Sequence, residues 1–190
     1  MNRRLALKRA LLATGKITKP VTVPGLFDAT GSIAMAVGVL RPRVLVDPRA
    51  YGEDRTLREF ALWHESAHIV CGHLPLLFAF RWLGVVFMAG VFALAGALTR
   101  SIPAACLLGM LGAWFEARYG WMTLYIRARA ETQADGLALA VMQTHAFAAA
   151  VKTMTLIQEP ARGLDGIVER AVYGAGWRDR LARQGLAVDE

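Results

Sequence analysis

At 190 residues and 20.7 kDa the chain has room for one domain with a small appendage. Hydrophobic residues make up 55% of it and charged residues 19%, with a mean hydropathy of +0.37. Ordinary soluble domains hold about 45–50% apolar and about 25% charged residues, so this composition excludes a disordered chain and argues against an ordinary soluble one. The two cysteines exclude a disulfide scaffold.

The net charge of +7 is gathered at the start, where Arg3, Arg4, Lys8, Arg9, Lys16 and Lys19 precede the first acidic residue, Asp28. No aromatic side chain interleaves these residues, as stacking on nucleic-acid bases would require, so no nucleic-acid partner is expected. Lys8 and Arg9 interrupt Leu5–Leu12, which leaves no apolar core for a secretory signal. Residues 1–24 are read as a basic flank lying on the cytoplasmic leaflet, against the plainer reading of a solvated tail.

Two short apolar runs, Ile33–Val39 and Val44–Val46, flank Arg41-Pro42-Arg43 and predict a β-hairpin. Thr56-Leu-Arg-Glu59 reads as a capping box opening a helix that runs to about Gly72, with Pro75 as its break. Trp82–Thr99 then carries no charge over 18 residues, and Ser101–Phe115 carries none over 15. Segments 76–99 and 101–126 are read as a helical hairpin in the membrane, provided that Glu116 and Arg118 pair with each other or face a wet cavity. The competing reading is a buried hairpin in a soluble protein. A further helix is expected from Arg127 to about Ala150, and two short helices in the tail from Pro160.

His64-Glu65-Ser66-Ala67-His68 is an H-E-x-x-H sequence on the first of these helices. Two imidazoles one turn apart project from one face and can share a metal ion, with Glu65 beside them as the base that activates water. Phe60, Ala61, Leu62, Trp63, Ile69 and Val70 surround them. Unpaired polar groups would be costly in that setting, and a metal accounts for all three residues. A catalytic zinc needs a third protein ligand. His73 is poorly spaced for it, Cys71 is expected to pack, and Cys106 lies inert in the second apolar run. Glu131-Thr-Gln-Ala-Asp135 offers two carboxylates one turn apart on a later helix. Glu131 is the candidate third ligand, and Asp135 the residue that orients a ligand histidine through its other ring nitrogen. Glu116 is the rival for that role. Ala134, Gly136 and Ala138 would let the two helices approach closely. His145, Tyr173 and Arg178 are candidate oxyanion donors, with no spacing argument to choose among them.

This order of features resembles the membrane gluzincin peptidases, the group of the HtpX-like heat-shock proteases and the CAAX-prenyl endopeptidases. The features that carry the likeness are His64-Glu-Ser-Ala-His68, two hydrophobic helices and Glu131-x-x-x-Asp135. A histidine placed like His73 occurs in many of that group. Gly38–Val46 resembles a segment ahead of the active-site helix in the β-lactam-sensing transducer proteases, where it lies near the substrate cleft. Gly176-Trp-Arg-Asp-Arg-Leu181 is similar to their closing segment, without its His-Pro. The HtpX-like enzymes carry two membrane helices ahead of the metal helix, and none is read ahead of His64 here.

The likeness spans roughly residues 25–183. It implies a mainly α fold with a small β-hairpin, in which zincin-like metal-binding helices join a transmembrane hairpin. The organisation would be a basic segment 1–24, a zincin-like metallopeptidase domain 25–160 interrupted by the membrane hairpin at about 76–126, and a tail 161–190. It further implies a zinc endopeptidase cutting protein or peptide substrates. The two apolar segments, whose ends return to one side, and the basic N-terminus make the expectation an inner-membrane protein that spans twice with its site on the cytoplasmic side. A soluble metallopeptidase that cuts a repressor or toxin is one alternative. A membrane adaptor with a vestigial zinc site is another.

Overall fold

A computed structural model of the chain describes residues 20–30, 32–48, 54–157, 163–174 and 176–186. The basic flank through Lys19 lies outside them. Strands β1 (Val21–Thr22), β2 (Ala34–Val37) and β3 (Arg43–Val46) form a sheet in the order β1-β3-β2. The expected hairpin is β2 against β3, antiparallel, with Ala34 opposite Val46 and Ala36 opposite Val44. Gly38 turns at a φ of 86°, and a Cβ there would meet the Arg41 carbonyl at 2.8 Å, so the turn demands glycine. β1 joins the far side of β3 in parallel. Two residues are too few to leave a periodic signature in the sequence.

β2 is thus a sheet edge among the described residues. The Asp47 N–H donates to the Ile33 carbonyl at 3.0 Å, which makes that a hydrogen-bonded pair of the ladder. The alternation of an antiparallel ladder then turns the N–H and C=O groups of Ala34 and Ala36 away from β3, toward the side on which Glu65 lies.

After the short helix α1 (Leu26–Thr30) and the sheet comes α2 (Arg55–Val70). Its cap is Asp54, whose carboxylate accepts from the Thr56 and Leu57 N–H groups, so the Thr56 capping box is not used. A carboxylate one position ahead of the helix meets the free N–H groups and the positive end of the dipole together. Leu57, Phe60, Ala61, His64, Ala67 and His68 fall on the buried face. That stripe carries the two histidines into the core.

α2 is wedged between two apolar clusters. Ile33, Val44, Val46, Leu57, Ala61 and Ile69 pack on the sheet side. Phe60 joins Ala138, Phe147, Val151 and Leu181 on the other. Gly72 ends the helix at a φ of 71°, and α3 (His73–Ala97) starts at once. The break is therefore Gly72. Pro75 sits in the first turn of α3, where its missing N–H has no helical partner to lose.

α3 and α4 (Ile102–Tyr119) pack as an antiparallel hairpin. Gly84, Gly96, Gly109 and Gly112 line the seam; a Cβ on Gly96 would lie 2.4 Å from the Ala105 Cα, and one on Gly112 2.6 Å from the Met88 carbonyl oxygen. Close backbones leave the large side chains facing outward: Leu83, Val86, Leu94, Leu98, Ile102 and Met110 are each more than 60% exposed. A soluble core would have the reverse arrangement. Among the described residues, α3 is the one helix long and apolar enough to cross a membrane by length and composition. The second leg stops at Tyr119 rather than 126, because Gly120 turns the chain at a φ of 62° into a short 3-10 turn, Trp121–Thr123.

The expected Glu116–Arg118 pair does not form. Glu116 is fully buried and accepts the Met122 N–H at 3.1 Å, while Arg118 reaches Asp165 at 2.7 Å. Gly96→Leu is expected to force the seam apart, at a cost of about 1–3 kcal/mol or more, and Gly90→Ala, which meets nothing within 4 Å, to cost little. The two melting temperatures in detergent check this.

α5 (Leu124–Val141) ends at Met142, whose extended backbone (ψ 167°) breaks the long helix expected through Ala150. α6 (Thr144–Ile157) follows, and α7 (Gly163–Tyr173) and α8 (Trp177–Ala182) are the two short helices of the tail. α5 lies along α2 with Ala130, Ala134 and Ala138 buried at intervals of four, the small stripe that close approach requires. Gly136 does not belong to it; its Cα faces the Gln184 side chain.

Candidate metal centre

α2 and α5 bring three of the expected residues to one point. His64 Nε2 lies 3.0 Å from Glu131 Oε2 and 3.3 Å from His68 Nε2, and His68 Nε2 lies 3.7 Å from Glu131 Oε1. One donor atom from each falls within 4.8 Å of the others, so His64, His68 and Glu131 could hold one metal ion. The i, i+4 spacing stacks the two rings on α2, and the alanine stripe of α5 lets the shorter reach of Glu131 close the triangle. The donor chemistry fits a cation. Glu131 and Asp135 press two carboxylates on one buried imidazole, His64.

Burial alone would strip charge from His64. The hydrogen bonds and charges of Asp135 and Glu131 outweigh it and push the pKa up to about 10. Burial would raise Glu131 in turn, but hydrogen bonds from His64 and His68 hold it well below the usual carboxylate range. The cluster demands positive charge at its centre.

Asp135 Oδ1 holds His64 Nδ1 at 2.9 Å, the orienting contact expected of it. Sequence reasoning missed what holds Asp135. Arg180 on α8 grips it with two hydrogen bonds, Nε to Oδ2 at 2.5 Å and Nη2 to Oδ1 at 2.7 Å, and all three side chains are buried. Burial works against the Asp135 charge, and the Arg180 guanidinium more than restores it, so the carboxyl is held below its ordinary pKa. A two-toothed grip of this kind fixes direction as well as charge.

His73 also finds a place, though not as a ligand. Its Nδ1 meets His68 Nδ1 at 3.1 Å, and its Nε2 meets Gln133 Oε1 at 3.0 Å, so each ligand imidazole is held from behind. The glycine turn at residue 72 swings His73 back against α2, which spacing alone does not reveal. Asp135→Asn is expected to weaken binding of a divalent metal ion about 10–100-fold while keeping its stoichiometry. Competition against a chromophoric chelator measures it.

Glu65 lies beside the triangle in a cleft of about 220 Å³ that also includes Ala34, Ala36, Tyr173 and Arg180. Its Oε2 accepts the outward Ala36 N–H at 2.7 Å. Burial raises its pKa, opposed by the positive charge on His64 and His68 and by that N–H. Of the three candidate oxyanion donors only Tyr173 borders the cleft. The negative charge of Glu131 and then burial push its hydroxyl pKa up, so it keeps the proton it would donate.

The structure leaves the other two candidates out. His145 is exposed at the start of α6, and Arg178 is exposed over the Trp177 ring. Glu116 lies at the end of α4, and Cys71 and Cys106 are exposed free thiols, none of them in the metal cluster. Comparison with family models, with curated proteins and with solved structures gives no match to the chain.

Proposed function

We propose that this chain is a zinc-dependent endopeptidase working at a membrane surface. The observation that carries the reading is the convergence of His64, His68 and Glu131 on one point, with Glu65 beside them in a cleft bordered by a sheet edge. Two imidazoles and one carboxylate are a donor set suited to catalytic zinc, which leaves a position open for chemistry. The ion supplies Lewis-acid activation of water and of the scissile carbonyl when bound.

The chain's own residues account for the rest. An extended peptide lies along β2, where Ala34 offers an outward N–H and C=O. Glu65 takes the proton from the attacking water and passes it to the leaving amine. Tyr173 and Arg180, at the cleft wall, are placed to donate to the developing oxyanion. Asp135, Arg180, His73 and Gln133 keep the ligand rings from turning.

The outward apolar faces of α3 and α4 support insertion of the hairpin in a bilayer, and disfavour the soluble alternative. Arg81, Arg118, Arg127 and Arg129 lie toward its base, on the catalytic side, against Arg100 at the tip. By the excess of arginine and lysine on cytoplasmic segments, the site faces the cytoplasm. Trp82, Trp114, Trp121 and Tyr125, all more than 40% exposed, stand toward the same end and match an interfacial aromatic belt.

The test is zinc content and casein hydrolysis of the detergent-purified full chain. About one zinc per chain is expected, with hydrolysis that o-phenanthroline stops and added zinc restores. No zinc after remetallation would overturn the reading. Zinc without hydrolysis would leave a structural metal site.

A further inference from the structure

Once the polar walls of the cleft are assigned to the metal ligands, the base and the oxyanion donors, an apolar wall is left over. Met35 on β2, Leu74 and Leu77 on α3 and Met154 on α6 border the same space as His64, Glu65, His68 and Glu131. All four are partly exposed, while the two ligand histidines next to them are buried. Leu74 and Met154 also pack on the cluster between the sheet and α2, so this wall is anchored to the scaffold. The full cleft, at about 220 Å³, is smaller than the roughly 300–1,000 Å³ of a site that encloses a whole ligand. It has the size for a stretch of peptide with one large side chain. β2 leads directly into it through Ala34, Met35 and Ala36.

We propose that Met35, Leu74, Leu77 and Met154 form a subsite that accepts one large aliphatic or aromatic side chain flanking the scissile bond, and that Leu77 is its specificity-determining residue. This rests on the endopeptidase reading above. A peptide strand along β2 alternates its side chains between two faces, so a residue next to the bond at the metal turns one side chain toward this wall. Two of the four residues are methionines, unbranched and polarisable, and such a wall adapts to leucine, methionine or phenylalanine rather than to one shape. It holds no cation for an acidic side chain and no carboxylate for a basic one. Leu77 stands where the cleft meets the apolar course of α3, so a substitution there changes the wall without touching the metal cluster.

The experiment uses the full-length zinc-loaded protein in detergent and a set of peptide hydroxamates that differ only in one side chain: glycine, leucine, phenylalanine, aspartate or lysine. Binding is measured by calorimetry, with zinc content measured separately on each sample. The leucine and phenylalanine compounds are expected to bind about 10–100-fold more tightly than the glycine compound, and the aspartate and lysine compounds no more tightly than it. Leu77→Ala should shrink the gain from leucine, and Leu77→Asp should turn the preference toward lysine. Leu83→Ala, an exposed position farther along α3, should leave the profile unchanged. If Leu77→Asp does not fold, Met154→Ala serves in its place and should narrow the same gain. Zinc-loaded protein that binds all five compounds alike would overturn the subsite and leave the metal site standing. A chain without zinc that binds none of them would overturn both.

Discussion

Glu131→Ala is expected to cost more in zinc affinity than the roughly 10–100-fold that loss of a supporting partner costs a metal site. Removing one carboxylate from a three-residue donor set leaves His64 and His68, two neutral nitrogens on one helix turn, with no negative charge at the centre to offset the ion. Asp135 cannot take over. It sits behind His64, at Nδ1, and both its oxygens are engaged by Arg180. Glu116 cannot either, since it caps the turn at Met122 at the end of α4.

The readout is the melting temperature of wild type and variant with and without zinc. Binding to the folded state alone adds about 4 kcal/mol of stability at a thousand times the dissociation constant, which shifts the melting temperature of a chain of this size by about 8–16 °C. The wild type should gain that shift and the variant should not. Without metal the variant should also be less stable than wild type, because Glu131 is held ionised by hydrogen bonds from His64 and His68 that alanine cannot accept. Equal zinc shifts in the two proteins would mean that the third ligand is another residue.

What sequence could and could not reveal follows from how far each signal reaches. His64 and His68 are four apart on a helix whose apolar residues fix its buried face, so their shared direction is local information. Glu131 and Asp135 were legible only as a helical pair; their meeting with α2 is tertiary, and the need for a third ligand did the selecting. The β2–β3 hairpin was legible because β-branched runs flank a turn, whereas β1, two residues long, has no pattern to read.

Arg180 shows a different kind of miss. Arg178, two residues earlier, is one of the three candidate oxyanion donors, and two positions on a helix are about 200° apart, on nearly opposite faces. The distinguishing signal was present. Trp177 and Leu181 mark the apolar face of α8, and Arg180 lies three after the first and next to the second, on the side that turns inward. A lone arginine in a short helix still gives no hint of which carboxylate it will meet 45 residues away. The end of α2 near Gly72 was legible, but the place of Pro75 was not, for a related reason. Proline disrupts a helix interior but suits a first turn, and which of the two applies depends on where the previous helix has already stopped.

Glu65→Gln should keep the metal and abolish the chemistry. The substitution is close to isosteric, and the amide oxygen can still accept the Ala36 N–H that holds Glu65 at 2.7 Å, so the side chain stays where the structure places it. Glu65 is not among the converging donor atoms, so zinc content should remain at the wild-type value. An amide cannot take up the proton from water, and general-base assistance of this kind is worth about 100–10,000-fold in rate. Casein hydrolysis is therefore expected to fall by at least that factor at unchanged zinc occupancy. Loss of zinc together with activity would make Glu65 a structural residue. Full activity in the variant would remove it from the reaction and return the cluster to a structural metal site. Ala36→Pro gives an independent check on the same carboxylate. The Ala36 N–H points away from β3, so proline removes the donor without breaking a ladder bond, on an edge strand that tolerates it. If that N–H is what aims Glu65, Ala36→Pro should lower kcat at wild-type zinc content, by less than Glu65→Gln does, because the base remains but is no longer held in line.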